Sequence, residues 1–548
     1  LNQSSRVAPI LLTCTAFAAP AAFAQSTPSD LIVSGTTYSD VGQAASLVAG
    51  TSLLAPNSKN LTPTVATANG QFQNVFLNAG ADGSFGVTSQ IFLQNYSTSS
   101  VYEIDPGAVV GSFSSKSELA LNLSSDGSAI TFMAYNPQTS FSSTGTGGIA
   151  AVTTGGRNNL GLLDISNSNT PGLVDPTNTV NASAYRSVTQ VSVSSLLGGG
   201  GNLANGSGLS VTNTNAYSGN NGRAVVLYNG QYYMVGNAGN SGSSSNAPSN
   251  ATLTQLSLNT GIQTITPGAT SPNSTVVGAC SGTSGSATGY QCGFNITSTG
   301  AAADKTGKDD NFRGLTVGSD GMLYVSKGSG SNGVDTVYQV GGLSTRSAAT
   351  VSVASGFPTA SPTTGNNQTP FGVWLANSTT MYVAYEGADS IAGAGGALTS
   401  MGGLTKYSFT GGAWKADYTI TSGLGSFTGG AVGADTGSTT FYTDGLRNLT
   451  GQVNANGTVT LYAVTATVTD STAGKNWDQG ANPDQIVSLT DTLAATTSSG
   501  QSFTALETAS EGTVYRGVAL APVPLPATAW LLLGGLAGLA GMHRKRAA

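Results

Sequence analysis

Between residues 30 and 520 the chain shows almost no helical periodicity; its apolar residues fall in short alternating or continuous runs bounded by Gly, Asn, Asp and Ser. An amphipathic helix needs apolar positions every three to four residues and a strand every second one, so this pattern predicts many short strands. The expected fold class is all-β. A recurrent unit sharpens the expectation: a polar turn followed by a strand rich in aromatic and β-branched residues. Asp126-Gly127 precedes Ala129-Ile130-Thr131-Phe132, and Asn229-Gly230 precedes Tyr232-Tyr233-Met234-Val235. Asp320-Gly321 precedes Leu323-Tyr324-Val325, and Asn456-Gly457 precedes Val459-Thr460-Leu461-Tyr462. Ser378-Thr379-Thr380-Met381-Tyr382-Val383 and Ser438-Thr439-Thr440-Phe441-Tyr442-Thr443 read as two further copies. Such turns supply the positive φ that tight hairpins need, and the residues behind them suit a pleated face.

Spacing turns the unit into an architecture. Tyr324, Tyr382 and Tyr442 stand 58 and then 60 residues apart, a little longer than the roughly 40 to 50 residues of a typical four-stranded propeller blade. A second echo sets Phe312-Arg313-Gly314-Leu315-Thr316-Val317 against Tyr515-Arg516-Gly517-Val518-Ala519-Leu520. Residues 25–521 are therefore expected to form a β-propeller of about seven blades, within a range of six to eight. Leu31-Ile32-Val33 would pair with residues 515–520 and hide the edges that an open sheet exposes. The patterning resembles bacterial secreted β-propellers in general, without a repeat consensus such as the WD dipeptide. Tandem β-sandwiches or a β-helix are the alternatives, although a solenoid coil is much shorter than this repeat. The Gly/Ser/Asn-rich segments 198–208, 236–250, 278–289 and 393–403 are expected to be exposed loops.

The two ends read as addresses. Arg6, the apolar run 7–23 and Ala22-Phe23-Ala24 match a secretory signal peptide over residues 1–24, with cleavage between Ala24 and Gln25. At the other end Val523-Pro524-Leu525-Pro526-Ala527 leads into an apolar stretch, 527–542, followed by His543-Arg544-Lys545-Arg546. As a helix that stretch spans about 24 Å, a little short of a roughly 30 Å hydrocarbon core. Local thinning or the preceding residues make up the difference. Arg544, Lys545 and Arg546 would stop it on the cytoplasmic side.

Proline motif, short apolar helix and terminal basic cluster, in that order, make residues 522–548 similar to the sorting tail of PEP-CTERM proteins, in the variant reading V-P-L-P-A. Leu525 stands where the name-giving motif has glutamate. The resemblance implies export across the inner membrane of a Gram-negative bacterium by the export machinery and signal peptidase. It further implies a transient membrane anchor, cleavage near the motif by an exosortase, and delivery to the cell surface or extracellular matrix, where exopolysaccharide is a partner to expect. An ordinary C-terminal anchor is the plainer alternative.

Setting the ends aside changes the chemistry on offer. His543 is the only histidine of the 548 residues, so the body would have no imidazole for a catalytic triad, a His-based general base or a His-ligated zinc. Arg6, Arg544, Lys545 and Arg546 lie in the ends, which leaves 15 of the 19 basic residues against all 25 acidic ones. A body this acidic lacks the basic stripe that nucleic acid demands. With Cys14 in the leader, Cys280 and Cys292 remain, and outside the cytoplasm a single pair is most simply a disulfide. Closing that loop is worth about 3 kcal/mol in the chain-entropy model.

Few constellations suggest a site. Asp304, Asp309 and Asp310 would offer oxygen ligands to Ca²⁺, but Lys305 and Lys308 oppose it and the spacing is not that of an EF-hand, so a solvated loop is preferred and no cofactor is expected. Glu386 with Asp389, and Asp478 with Asp484, are carboxylate pairs of the kind glycoside chemistry uses, or simply polar surface. Arg313 and Arg516 recur in like contexts and would sit on one rim or near a central channel. There they would either grip carboxylates or sugar acids, or make ion pairs and backbone hydrogen bonds between blades. Trp374, Trp414 and Trp477 are expected mainly in the core. The function expected is a non-catalytic binding or scaffolding propeller. The alternative is a secreted propeller-type hydrolase or lyase working through carboxylate, Tyr or Arg groups, and a purely structural matrix component is a third option.

Overall fold

The structure is a computed structural model, and it describes residues 29–37, 51, 53–54, 64–65, 85–113, 118–136, 162–164, 186–217, 221–236, 261–277, 312–328, 334–344, 349–359, 369–387, 398, 401–429, 439–469, 480, 482–510 and 512–523. Strand is the main element among these residues, and the one α-helix among them is a single turn, Val193–Leu196. The chain is all-β. The signal segment, Cys280, Cys292, Asp304, Asp309, Asp310, Asp389, Trp477, Asp478 and the tail from Pro524 onward, its 527–542 stretch included, lie outside the described residues. Among the described residues no helix is long and apolar enough to cross a membrane.

Most strands fall by pairing into six mainly antiparallel groups, with Leu53–Leu54 and Thr64–Val65 paired apart from them. In chain order the first comprises Asn122–Leu123, Ala129–Tyr135, Arg186–Ser192 and Gly208–Thr214. The second is Gly222–Tyr228, Gln231–Gly236, Gly261–Ile265 and Thr275–Val276; the third is Phe312–Val317, Leu323–Lys327, Thr336–Gly341 and Thr350–Val353. The fourth is Thr369–Asn377, Thr380–Glu386, Gly403–Thr410 and Ala413–Ile420. The fifth is led by Thr439–Val453 and continues through Thr458–Thr469, Gln485–Thr492 and Thr504–Thr508, with Ser426–Gly429 added to its leading strand. The sixth unites the first and last strands among the described residues: Thr513–Pro522 pairs with Ser29–Thr37, which pairs with Phe85–Asn95 and then Ser100–Ile104. Leu31, Ile32 and Val33 lie opposite Leu520, Ala519 and Val518, the pairing expected from their sequence.

One segment read as loop is a strand. Gly201–Asn205 runs parallel to both Ser100–Ile104 and Gly208–Thr214 and buries Leu203, so the sixth and first groups form one continuous sheet with a nine-strand path. Glycine and asparagine supply backbone pairing there while a single apolar side chain anchors it. The path nearly closes, because its end strands, Thr513–Pro522 and Asn122–Leu123, return to contact.

The hairpins owe their position to a local bond. Asp320 Oδ1 accepts from Met322 N at 3.0 Å, Asn377 Oδ1 from Thr379 N at 2.8 Å and Asn456 Oδ1 from Thr458 N at 3.1 Å. The side chain thus mimics a backbone turn two residues long. Asn229 and Gly230 both have positive φ, 49° and 72°, the signature of a two-residue type I′ hairpin. Each of these turns joins the leading strand of a group to its second strand. The copy read at Ser438 does not: Phe441 and Tyr442 lie in the leading strand of the fifth group, and its true second strand carries Tyr462. Regular spacing of tyrosines therefore ends at Tyr382.

Packing explains why the second strands look apolar on both faces. Tyr324 packs toward Trp414 and Val383 of the fourth group, whereas its neighbour Val325 packs toward Val226 and Val235 of the second. Tyr232 and Met234 face the first group; Tyr233 and Val235 face the third. Ile32 joins the core shared with the first group, and Leu31 and Val33 the core shared with the fifth. Alternate residues of one strand thus serve two cores, which turns an alternating pattern into a continuous run such as the wholly buried Ala129–Tyr135. Six apolar clusters result among the described residues, each between consecutive groups and the last between sixth and first. Complete burial of one such side chain contributes about 1.5–3 kcal/mol.

Candidate functional site

The leading strands follow one another round a closed circuit, each touching the next, and their glycines set the distance. A Cβ at Gly314 would collide with the carbonyl of Phe371, one at Gly372 with that of Arg447, and one at Gly517 with that of Leu119. Hydroxyls on second strands stitch the same junctions. Thr131 Oγ1 donates to Val225 O at 2.8 Å, Ser34 Oγ donates to Leu119 O at 2.6 Å, and Ser326 Oγ donates to Phe371 O. Ser326 also accepts from Gly314 N at 2.9 Å, and Ser34 lies opposite Gly517 in register. The two aromatic-Arg-Gly sequences are therefore equivalent, three groups apart on the circuit, and their glycines are demanded by close backbone approach.

Arginines project from these strands. Arg313, half-buried, donates from Nε to Gly328 O at 2.6 Å, and its guanidinium carbon lies 4.9 Å from the centre of the Phe371 ring. Arg516 is buried; Nη2 donates to Phe113 O at 2.6 Å and to Gly480 O, and Nη1 lies 3.7 Å from Asp484 Oδ2. These contacts with neighbouring groups are of the structural kind that the sequence offered as one of two roles. Trp414 is likewise in the core, edge-on to Tyr324 at 6.2 Å, and Trp374 lies against Tyr382 at 6.0 Å.

Other charges converge that the aromatic-Arg-Gly echo does not mark. Arg447, in the fifth leading strand, donates from Nε and Nη2 to Glu386 Oε1 at 2.9 and 2.7 Å, joining the fifth group to the fourth. Arg223 stands between Gly222 and Ala224 in the second leading strand and is 5% exposed. In the first group Glu118 accepts from the Tyr135 hydroxyl, and Arg186 lies 5.8 Å from the centre of the Tyr135 ring. A signal for Arg223 and Arg447 did exist: each lies within two residues of a glycine in a leading strand, with spacing that differs from Arg-Gly.

Burial governs the electrostatics. It pushes the Arg223 guanidinium well below its ordinary value, and the like charge of Arg313 adds to the fall, against the pull of Tyr135, Glu118 and Glu386. Burial, helped by Glu118, raises the Tyr135 phenol well above its usual range. The Asp484 carboxyl is pushed up to about 7 by burial, despite Arg516 and the Tyr515 N–H that donates to Oδ1 at 2.8 Å.

A second polar cluster joins the fourth and fifth groups away from the leading strands. Asp491, 1% exposed, accepts from Tyr382 OH at 2.6 Å, from Tyr418 OH at 2.7 and 2.8 Å and from Gln501 Nε2 at 2.7 Å. Lys406 Nζ lies 3.2 Å from Asp491 Oδ2 and also donates to the carbonyls of Thr492 and Leu493. Burial alone would raise the Asp491 carboxyl; Tyr382, Tyr418, Lys406 and Gln501 outweigh it and hold the group below its ordinary value.

Among the described residues no group of three or more His, Cys, Asp or Glu side chains is placed to hold a metal ion. Compared with known proteins, the chain matches no family model, no curated protein and no solved structure.

Proposed function

We propose that the six groups are the blades of a six-bladed β-propeller, closed by pairing of the terminal strands, and that this body is an exported, non-catalytic binding or scaffolding module. The cyclic succession of six shared cores supports the propeller, since tandem sandwiches would leave two cores with no successor. One observation carries the non-catalytic reading: Glu386, the described acid of one carboxylate pair, accepts two hydrogen bonds from Arg447 across a blade junction. That occupation suits a rigid frame better than general acid–base chemistry. The PEP-CTERM-like tail supports delivery to the surface or matrix of a Gram-negative cell through signal peptidase and an exosortase-like enzyme, with exopolysaccharide as the partner class. Fractionating cells that produce the full chain, or the chain lacking residues 523–548, tests the destination; unchanged surface delivery without the tail refutes sorting by it. Incubating the purified protein with the producer's exopolysaccharide tests the activity. Retention without new reducing ends is expected, and steady release of reducing ends would favour the hydrolase.

A further inference from the structure

We propose that the inner face of the circuit holds a carboxylate-binding site, in which Arg223 and Arg313 from adjacent leading strands receive a monoanion such as the carboxylate of an acidic sugar. The site rests on the ring of blades proposed above, but not on the exported destination.

Arg223 carries the inference. Its side chain is 95% buried by the 5% exposure of the residue, and among the described residues its Nε and Nη1 have no hydrogen-bond partner. Buried polar groups in folded proteins are nearly always satisfied, and leaving a charged donor empty costs more than leaving a neutral one. A guanidinium does not escape by losing its proton under ordinary conditions. Something therefore has to answer these donors. The nearby acids are committed elsewhere, Glu118 to the Tyr135 hydroxyl and Glu386 to both donors of Arg447. Arg313 stands on the leading strand that packs against that of Arg223, and its like charge disfavours that of Arg223.

Chemistry selects the ligand class: cationic donors left unanswered call for an anion whose oxygens accept from them. Guanidinium donors also suit carboxylate oxygens geometrically, and a desolvated pair of this kind is stronger than one in water.

The test is calorimetric titration of the full chain with sodium D-glucuronate, sodium acetate and D-glucose. Glucuronate and acetate are expected to bind, with glucose silent. Arg223→Gln should weaken glucuronate by about tenfold or more, the scale of a charge-assisted contact. Arg313→Gln should also weaken it, and Arg223→Lys, which keeps the charge, should fall between wild type and Arg223→Gln. Urea midpoints check folding, and if Arg223→Gln does not fold, the Arg223→Lys and Arg313→Gln comparison decides. Equal response to glucose and glucuronate, no response to either carboxylate, or wild-type affinity in Arg223→Lys together with Arg313→Gln would overturn the site. Those outcomes would leave tail-dependent surface delivery untouched, and failure of delivery would leave the titrations untouched.

Discussion

Asp491 is the sharpest test of how the fourth and fifth strand groups are fastened. Replacing it by Asn keeps the shape but removes the charge that faces Lys406 at 3.2 Å, while both residues remain 1% exposed. Breaking a buried ion pair from one side costs about 3–5 kcal/mol, because the surviving charge is left without a counter-charge. Lys406 would retain the carbonyls of Thr492 and Leu493, so the lower half of that range is expected. Lys406→Met should cost less, about 1–3 kcal/mol, since Asp491 keeps donors from Tyr382, Tyr418 and Gln501. The double variant should fall short of the sum by at least about 1 kcal/mol, as contacting residues do. Urea unfolding reads these losses as a lower midpoint at unchanged slope. The pH dependence has a definite sign. Since folding depresses the Asp491 carboxyl, its stabilisation is complete above the ordinary carboxylate range and is lost as pH falls through the folded value. The gap between wild type and Asp491→Asn should therefore close in acid. A cost below about 1 kcal/mol, or strict additivity with Lys406→Met, would mean that the pair is solvated and that the reasoning fails.

Three further outcomes follow from the junctions. Gly517→Ala should cost about 1–3 kcal/mol or more, as overpacking does, because the new Cβ meets the carbonyl of Leu119; a neutral result by thermal melting would contradict the closure. Arg447→Met removes two charge-assisted donors from buried Glu386 and should cost about 3–5 kcal/mol, whereas pairing it with Glu386→Gln should recover part of the loss; urea titration of all three variants checks both. Asp484 titrates near 7 when folded, so stability should fall as pH rises from the ordinary carboxylate range toward 7, and Asp484→Asn should flatten that decline in pH-resolved melts.

What was legible in the sequence was what depends on neighbours along the chain. Leu31-Ile32-Val33 is an apolar run with no local partner, and residues 515–520 are its only match in kind at the far end, so their pairing could be foreseen. The copy at Ser438 misled because its composition matches that at Ser378, yet the deciding atom lies one residue earlier. Asn377 catches the Thr379 N–H, whereas Gly437 precedes Ser438 and has no side chain to do so. Gly201–Asn205 escaped because a glycine-rich stretch can pair by backbone alone. The arginine partners were the least legible: Arg447 and Glu386 are 61 residues apart and meet only because two strand groups pack together. No local pattern encodes such a meeting.

The pairing of Ser29–Thr37 with Thr513–Pro522 also imposes an order in time. Until Thr513–Pro522 has been made, the edge of Ser29–Thr37 that pairs with it stays bare, and bare edges invite wrong partners. Bringing together strands almost 500 residues apart costs about 5 kcal/mol in loop entropy alone, and pairing over such a separation is intrinsically slow unless the strand groups between them shorten the gap. Loss of Thr513–Pro522 would leave Ser29–Thr37 paired on one side only, to Phe85–Asn95.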